Sequence, residues 1–245
     1  MSRHDDLARA WAGLRTRLAD AAAAAGRSVE EIELLPITKF FPASDVQILV
    51  DLGCRSFGES RDQEARDKIA SLAQSPDFPD DVSWHMIGQI QRNKARSIAG
   101  WATTVHSVSS VKVAAALDRG SVDARAEGRR QSPVGVYVQI SLDGDVSRGG
   151  VDINDPTAVD ALCAQVDAAQ GLEFVGLMAI PPVGADADRA FAALAAERDR
   201  VQADYRQRLG LSAGMTGDLE AAVKHGSTCV RVGTALMGPR PLTSP

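Results

Sequence analysis

The stretch Ile32-Glu33-Leu34-Leu35-Pro36-Ile37-Thr38-Lys39-Phe40-Phe41-Pro42 holds the choice between two folds. Its apolar run to Lys39 reads as a short buried strand, and Ala43 to Leu52 after it reads as a helix, so the stretch opens a β/α unit. A doubly wound open sheet normally carries a glycine-rich phosphate turn directly after such a first strand. Here that turn is Thr38-Lys39-Phe40-Phe41-Pro42, which contains no glycine. A closed barrel is therefore favoured, with the doubly wound sheet as the competing reading.

The strand-then-helix order repeats outward from there. Cys54 to Gly58 precedes a charged helix, Val82 to Gly88 precedes Asn93 to Ala99, and Thr103 to Val108 precedes Val111 to Asp118. Val134 to Ile140 precedes Thr157 to Ala169, Leu172 to Met178 precedes Ala187 to Leu209, Leu211 to Met215 precedes Leu219 to Lys224, and Cys229 to Val232 ends the series. Short β-branched strands alternating with helices mark a parallel sheet covered by helices. With about eight of them, the expectation is an α/β fold, a single (β/α)8 TIM barrel. Leu7, Trp11, Leu14 and Leu18, spaced by three and four, predict an extra N-terminal helix ending near Gly26. The polar segments Asp123 to Gln131 and Asp143 to Gly150 read as exposed loops, not linkers, so residues 1–245 are expected to form one domain.

Composition narrows the function classes. The chain has 245 residues, close to the roughly 250 of one such barrel. No apolar run approaches the roughly 20 residues that cross a bilayer, and the polar start Met-Ser-Arg-His-Asp-Asp lacks the form of a secretory signal. A soluble cytoplasmic protein is expected. A net charge of −5 argues against broad contact with nucleic acid or anionic membrane. Cys54, Cys163 and Cys229 are too widely spaced to suggest a disulfide framework or a metal pair.

Lys39 ends an apolar strand, and a residue at that end of a barrel strand faces the side where active sites are built. Desolvation there lowers an amine's pKa and makes it a nucleophile, although a lysine can also snorkel to solvent from a strand end. Opposite it, Ser212-Ala213-Gly214-Met215-Thr216-Gly217-Asp218 leads into a helix, and Arg231-Val232-Gly233-Thr234 ends the final strand. Both turns pair glycine, which lets the backbone approach an anion, with hydroxyls that donate to it. Either alone reads equally as a helix cap or a chain reversal. Together, on the loops after strands seven and eight, they suggest a phosphate.

These residues resemble the pyridoxal phosphate homeostasis proteins, also called YggS-like or PROSC-like, from about Leu34 to Pro239. The matching pieces are Pro36-Ile37-Thr38-Lys39, Phe57-Gly58-Glu59-Ser60, Trp84-His85-Met86-Ile87-Gly88, Gln91-Arg92-Asn93-Lys94, Gly176-Leu177-Met178-Ala179-Ile180-Pro181, Asp218-Leu219-Glu220-Ala221-Ala222, and Gly226-Ser227-Thr228 through Arg231-Val232-Gly233-Thr234. The resemblance implies a monomeric or weakly associating barrel of the alanine racemase N-terminal type, carrying pyridoxal phosphate as a Schiff base on Lys39. It implies Ser212, Thr216, Gly233 and Thr234 as phosphate ligands and Arg231 as partner of the pyridine nitrogen. Gly214, Ser60 and His85 complete the candidate cofactor set, with no catalytic and no metal residues. The family usually has Asn at Ser60, Met at Ala213 and often Lys at Arg148. A guanidinium cannot form an imine, so a second Schiff-base lysine in that loop is not expected.

For His85, which points away from the side of Trp84 and Met86, two readings stand: lining the mouth near the cofactor, or a hydrogen-bonded core histidine. His106 and His225 lack partners at metal spacing and read as structural. The run Asn93-Lys94-Ala95-Arg96 reads as a solvated helix face or a basic docking patch, and Glu59 as either exposed at the mouth or orienting a neighbour of Lys39. The expected function is a non-enzymatic holder of pyridoxal phosphate in intracellular homeostasis, supplying it to apo-enzymes. The alternative is a barrel-type amino-acid racemase, and a third reading is a scaffold whose main partner is a protein. Arginine at the ring nitrogen disfavours carbanion chemistry without excluding it.

Overall fold

A computed structural model describes residues 2–240. Its strands are β1 (Glu33–Pro36), β2 (Ser56–Glu59), β3 (Ser83–Met86), β4 (Thr104–Val108), β5 (Val134–Ser141), β6 (Val151–Asp152), β7 (Leu172–Met178), β8 (Gly210–Ser212) and β9 (Cys229–Val232). The order β1-β9-β8-β7-β5-β4-β3-β2 is parallel throughout, and β6 lies off this path beside β5. The two ends of the path meet at a bridge between Ile37 and Gly58, so eight strands nearly close a barrel. Each strand of the expected series is present.

Helices α1 (Arg3–Ala24), α2 (Ala43–Asp51), α3 (Asp62–Leu72), α4 (Ala95–Trp101), α5 (Val111–Ala126), α6 (Pro156–Asp167), α7 (Ala187–Gln202), α8 (Leu219–Lys224) and α9 (Thr234–Met237) surround it. The N-terminal helix forms as expected: Ser2 and Asp5 close a capping box, and Leu7, Leu14 and Leu18 are buried. Arg17 of this helix bonds Glu220 of α8, and Arg3 bonds Asp45 of α2, which fixes α1 against the barrel wall.

The helix ends depart from the sequence reading. Residues 123–126, expected as loop, form the last turn of α5, because Ala124 is buried and continues the apolar stripe. Helix α7, expected to reach Leu209, ends at Gln202, whose amide holds the carbonyls of Tyr205 and Gln207 and takes the Leu209 N–H. Among the described residues no helix is long and apolar enough to cross a membrane, and all three cysteines are buried and unpaired.

Candidate functional site

Side chains alternate along a strand, and Leu35 of β1 lies in register with Arg231 of β9. Leu35, Ile37 and Cys229 pack together inside the barrel, so Lys39, two residues on, falls on the same face at the C-terminal mouth. The Ile37 N–H donates to Val232 and the Thr38 N–H to Gly58. This end of β1 therefore lies between the Gly233-Thr234 turn and the Glu59-Ser60 turn. Lys39 is half-buried, and among the described residues its Nζ has no hydrogen-bond or ion-pair partner. Burial holds its ammonium below the ordinary lysine range, with Arg240 adding to the effect and Glu59 opposing it.

The outward side of the same segment is locked by charges. Glu59 is buried, not exposed at the mouth, and its Oε1 accepts from Thr38 Oγ1 at 2.7 Å and from Lys68 Nζ at 2.5 Å. Lys68 also donates to the Thr38 carbonyl at 2.9 Å. Glu59 thus orients the residue before Lys39, the second of its two readings. Burial raises its carboxyl above the usual range, and Lys68 counters this. Glu64 accepts the Phe40 N–H, which holds Phe40 at a φ of 71°, in the left-handed region.

Inside the barrel a polar file crosses from β9 to β3. Arg231 Nη1 donates to Ser212 Oγ at 2.5 Å, Ser212 Oγ meets His106 Nδ1 at 2.7 Å, and His106 Nε2 meets His85 Nδ1 at 2.9 Å. His85 Nε2 lies 3.8 Å from Glu33. Arginine can only donate, so Ser212 accepts from it and gives its own proton to His106 Nδ1. His106 then carries its proton on Nε2, and His85 on the nitrogen facing Glu33. Burial holds both histidines below the ordinary range, His106 well below it. Tyr137 stacks on His106 with centroids 4.7 Å apart. Arg231, also buried, donates its Nη2 to the Ala179 carbonyl at 3.0 Å. His85 is therefore a hydrogen-bonded interior histidine that reaches Arg231 through two intermediaries. His106, read from sequence as partnerless at metal spacing, has partners from other strands, and among the described residues no acid, cysteine and histidine group could hold a metal.

The two glycine turns follow β8 and β9. Gly214 adopts a φ of 91°, and its carbonyl accepts from the Arg231 N–H. A Cβ there would lie 2.5 Å from that of Ala222, so only glycine fits. Arg17 anchors the Thr216 carbonyl at 2.7 Å. Among the described residues neither the Thr216 nor the Thr234 hydroxyl has a protein partner, whereas that of Ser212 is engaged by Arg231 and His106. Ser60 is half-buried at the end of β2, where its carbonyl crowds Gly88. An amine, a guanidinium and free hydroxyls, with glycine for backbone approach, are a donor set that fits a phosphorylated aldehyde.

The remaining candidates lie elsewhere. His225 and Lys224 both bond Asp188 on the surface, Arg96 faces Asp123 and Glu127, and Arg148 bonds Asp143 and Asp145 within its own loop. Tyr205, expected on the long helix, lies in the turn beyond it with its ring against Phe174. Lys68 and the interior file gave no sequence signal beyond the residues themselves, since their partners come from separate units.

Comparison with known proteins bears on this arrangement. The family described as alanine racemase, N-terminal domain, matches residues 13–241. A Mycobacterium bovis protein named pyridoxal phosphate homeostasis protein is 60% identical over 99% of this chain and 96% of its own length. The structure of PipY from Synechococcus elongatus with pyridoxal phosphate bound superposes with a TM-score of 0.79 at 31% identity, over 95% of this chain and all of that one. Alanine racemase from Corynebacterium glutamicum, at 15% identity and a TM-score of 0.62, shares the fold over 95% of this chain and 60% of its own.

Proposed function

The chain belongs to the pyridoxal phosphate homeostasis family, built on the alanine racemase N-terminal domain, and from that premise we propose that it binds pyridoxal phosphate as a Schiff base on Lys39. It holds the reactive aldehyde, supplies it to apo-enzymes in the cytoplasm, and is not itself an enzyme. The span 1–245 acts as one cofactor-binding domain.

The observation that carries the reading is Lys39: a half-buried amine at the barrel mouth with, among the described residues, no hydrogen-bond or ion-pair partner, beside a glycine turn whose threonine hydroxyl has none either. Thr216, Thr234 and the backbone at Gly214 and Gly233 hold the phosphate, with Ser60 flanking Lys39 on the other side. Arg231 would be the partner of the pyridine nitrogen, with Ser212 fixing Arg231 and His106 and His85 standing behind it. The bound cofactor supplies an electrophilic carbon and an electron-withdrawing ring. Because a guanidinium does not release its proton, Arg231 in that place would leave the ring nitrogen unprotonated and the ring a weak electron sink, as would suit a carrier.

The purified protein should be yellow, and borohydride should fix a pyridoxyl group that peptide mapping finds on Lys39. A Lys39→Ala protein that still yields the fixed peptide at wild-type level would overturn the assignment.

A further inference from the structure

Phe40 carries three cations on one ring. The guanidinium carbon of Arg240 lies 4.8 Å from its centre, that of Arg61 5.1 Å and Lys39 Nζ 5.9 Å. Among the described residues none of the three has a carboxylate within ion-pair distance, in a chain whose net charge is −5. The nearby acids are committed elsewhere: Glu59 to Lys68 and Thr38, Glu64 to the Phe40 N–H and Lys68. An exposed cation–π contact contributes only about 0.5–1 kcal/mol, too little to account for three like charges gathered this closely. The gathering is also imposed by the backbone, since a bulky residue with positive φ is a genuine outlier and the Glu64 bond holds it there. An arginine stacked on a ring keeps the N–H groups of its edge free for bidentate contact with a planar anion.

The phosphate turns do not use this cluster. They follow β8 and β9, whereas Arg61 follows β2 on the opposite side of Lys39, and Arg240 reaches over Phe40 to join it. We propose that Arg61 and Arg240, spread over Phe40, form a carboxylate subsite for a small amino acid whose amine is thereby set beside the cofactor carbon held by Lys39. This rests on the cofactor reading above. The amine nitrogen bonds to that carbon as the bond to Lys39 Nζ breaks, a proton passes from the incoming ammonium to the leaving lysine amine, and nothing is oxidised or reduced. The cofactor then leaves the barrel joined to an amino acid and not as a free aldehyde.

Two measurements test this, each on wild type and on the double variant Arg61→Gln/Arg240→Gln. With apo-protein, the methyl resonance of acetate should broaden for wild type and remain sharp for the variant. With holo-protein, loss of the cofactor absorbance band should be followed on adding L-alanine or L-alaninamide, which lacks the carboxylate. The variant should slow loss to alanine tenfold or more while keeping loss to alaninamide within twofold. Equal slowing of both amines, slowing of neither, or acetate broadening that survives the substitutions overturns the subsite. If wild type takes up no cofactor at all, the carrier reading fails instead, and the acetate measurement alone decides whether the subsite exists.

Discussion

His106 is satisfied only while neutral, because Arg231 and Ser212 fix its Nδ1 as an acceptor and its Nε2 must donate to His85. Burial is the main reason that its folded-state affinity for protons is so far depressed, and a proton added here would also meet His85 and the buried guanidinium of Arg231. Below about pH 6.5 the unfolded chain takes up that proton and the folded chain does not, so stability falls as pH drops and is fully present above that pH. The slope approaches about 1.4 kcal/mol per pH unit well below that pH, so this group should account for about 1 kcal/mol between pH 6.5 and 5.5. Urea midpoints between pH 6.5 and 5.5 should show it, and a His106→Gln protein should lose that part of the slope; an unchanged slope would mean that His106 takes up its proton in the fold. The placing of Lys39 and the glycine turns at strand ends is legible in sequence because each sits within its own β/α unit, whereas a role for Arg231 came only from the family resemblance. The histidine file is not, since His85 and His106 stand on separate strands and meet only once the strands lie side by side in the sheet.

Among the elements, α3 reaches both β2 and the segment after β1 through a single side chain, Lys68. Lys68 holds both Glu59 and the Thr38 carbonyl from within the wall. Removing one member of a buried pair leaves an uncompensated charge, and Lys68→Met should destabilise the protein by about 3–5 kcal/mol in urea unfolding near pH 7. Adding Glu59→Gln to the same chain should restore most of the loss. A single variant with wild-type stability would show that Glu59 is neutral in the fold. The strands were readable because eight apolar runs are separated by strong turn signals. Helix ends were less so: α7 stops where the Gln202 side chain substitutes for the next turn, a contact set by the loop it closes. The two residues of β6 and the four of α9 are too short to carry a period.

For the molecule as a whole, the distribution of acid and base groups bears on the choice between carrier and racemase. Inversion at Cα needs a base on one face of the bound amino acid and an acid on the other. Lys39 supplies one, but Tyr137 is buried against His106 inside the barrel and Tyr205 lies outside the wall against Phe174, so neither tyrosine reaches the mouth. The missing general acid alone removes roughly 10²–10⁴-fold in rate. Holo-protein incubated with L-alanine in deuterated water should therefore show at most slow Cα exchange without inversion. D-alanine formed at about 1 s⁻¹ or faster would overturn the carrier reading.

The meeting of β1 and β2 has a consequence for how the barrel moves. Elsewhere in the wall neighbouring strands share two or more registered pairs, or, for β8 and β9, one pair reinforced by the Ala213, Thr228 and Arg231 N–H bonds, whereas among the described residues this junction has the single bridge Ile37 to Gly58, made in part by the Thr38 N–H to Gly58 bond. A ring closed at one point opens there first, so local unfolding in solution should begin at this seam, and its amides should exchange with deuterated water ahead of those in β5 and β7. Lys39 and Ser60 stand on either side of it. A ligand bridging them would act as a clasp, slowing exchange along β1 and β2 while leaving the far wall as it was.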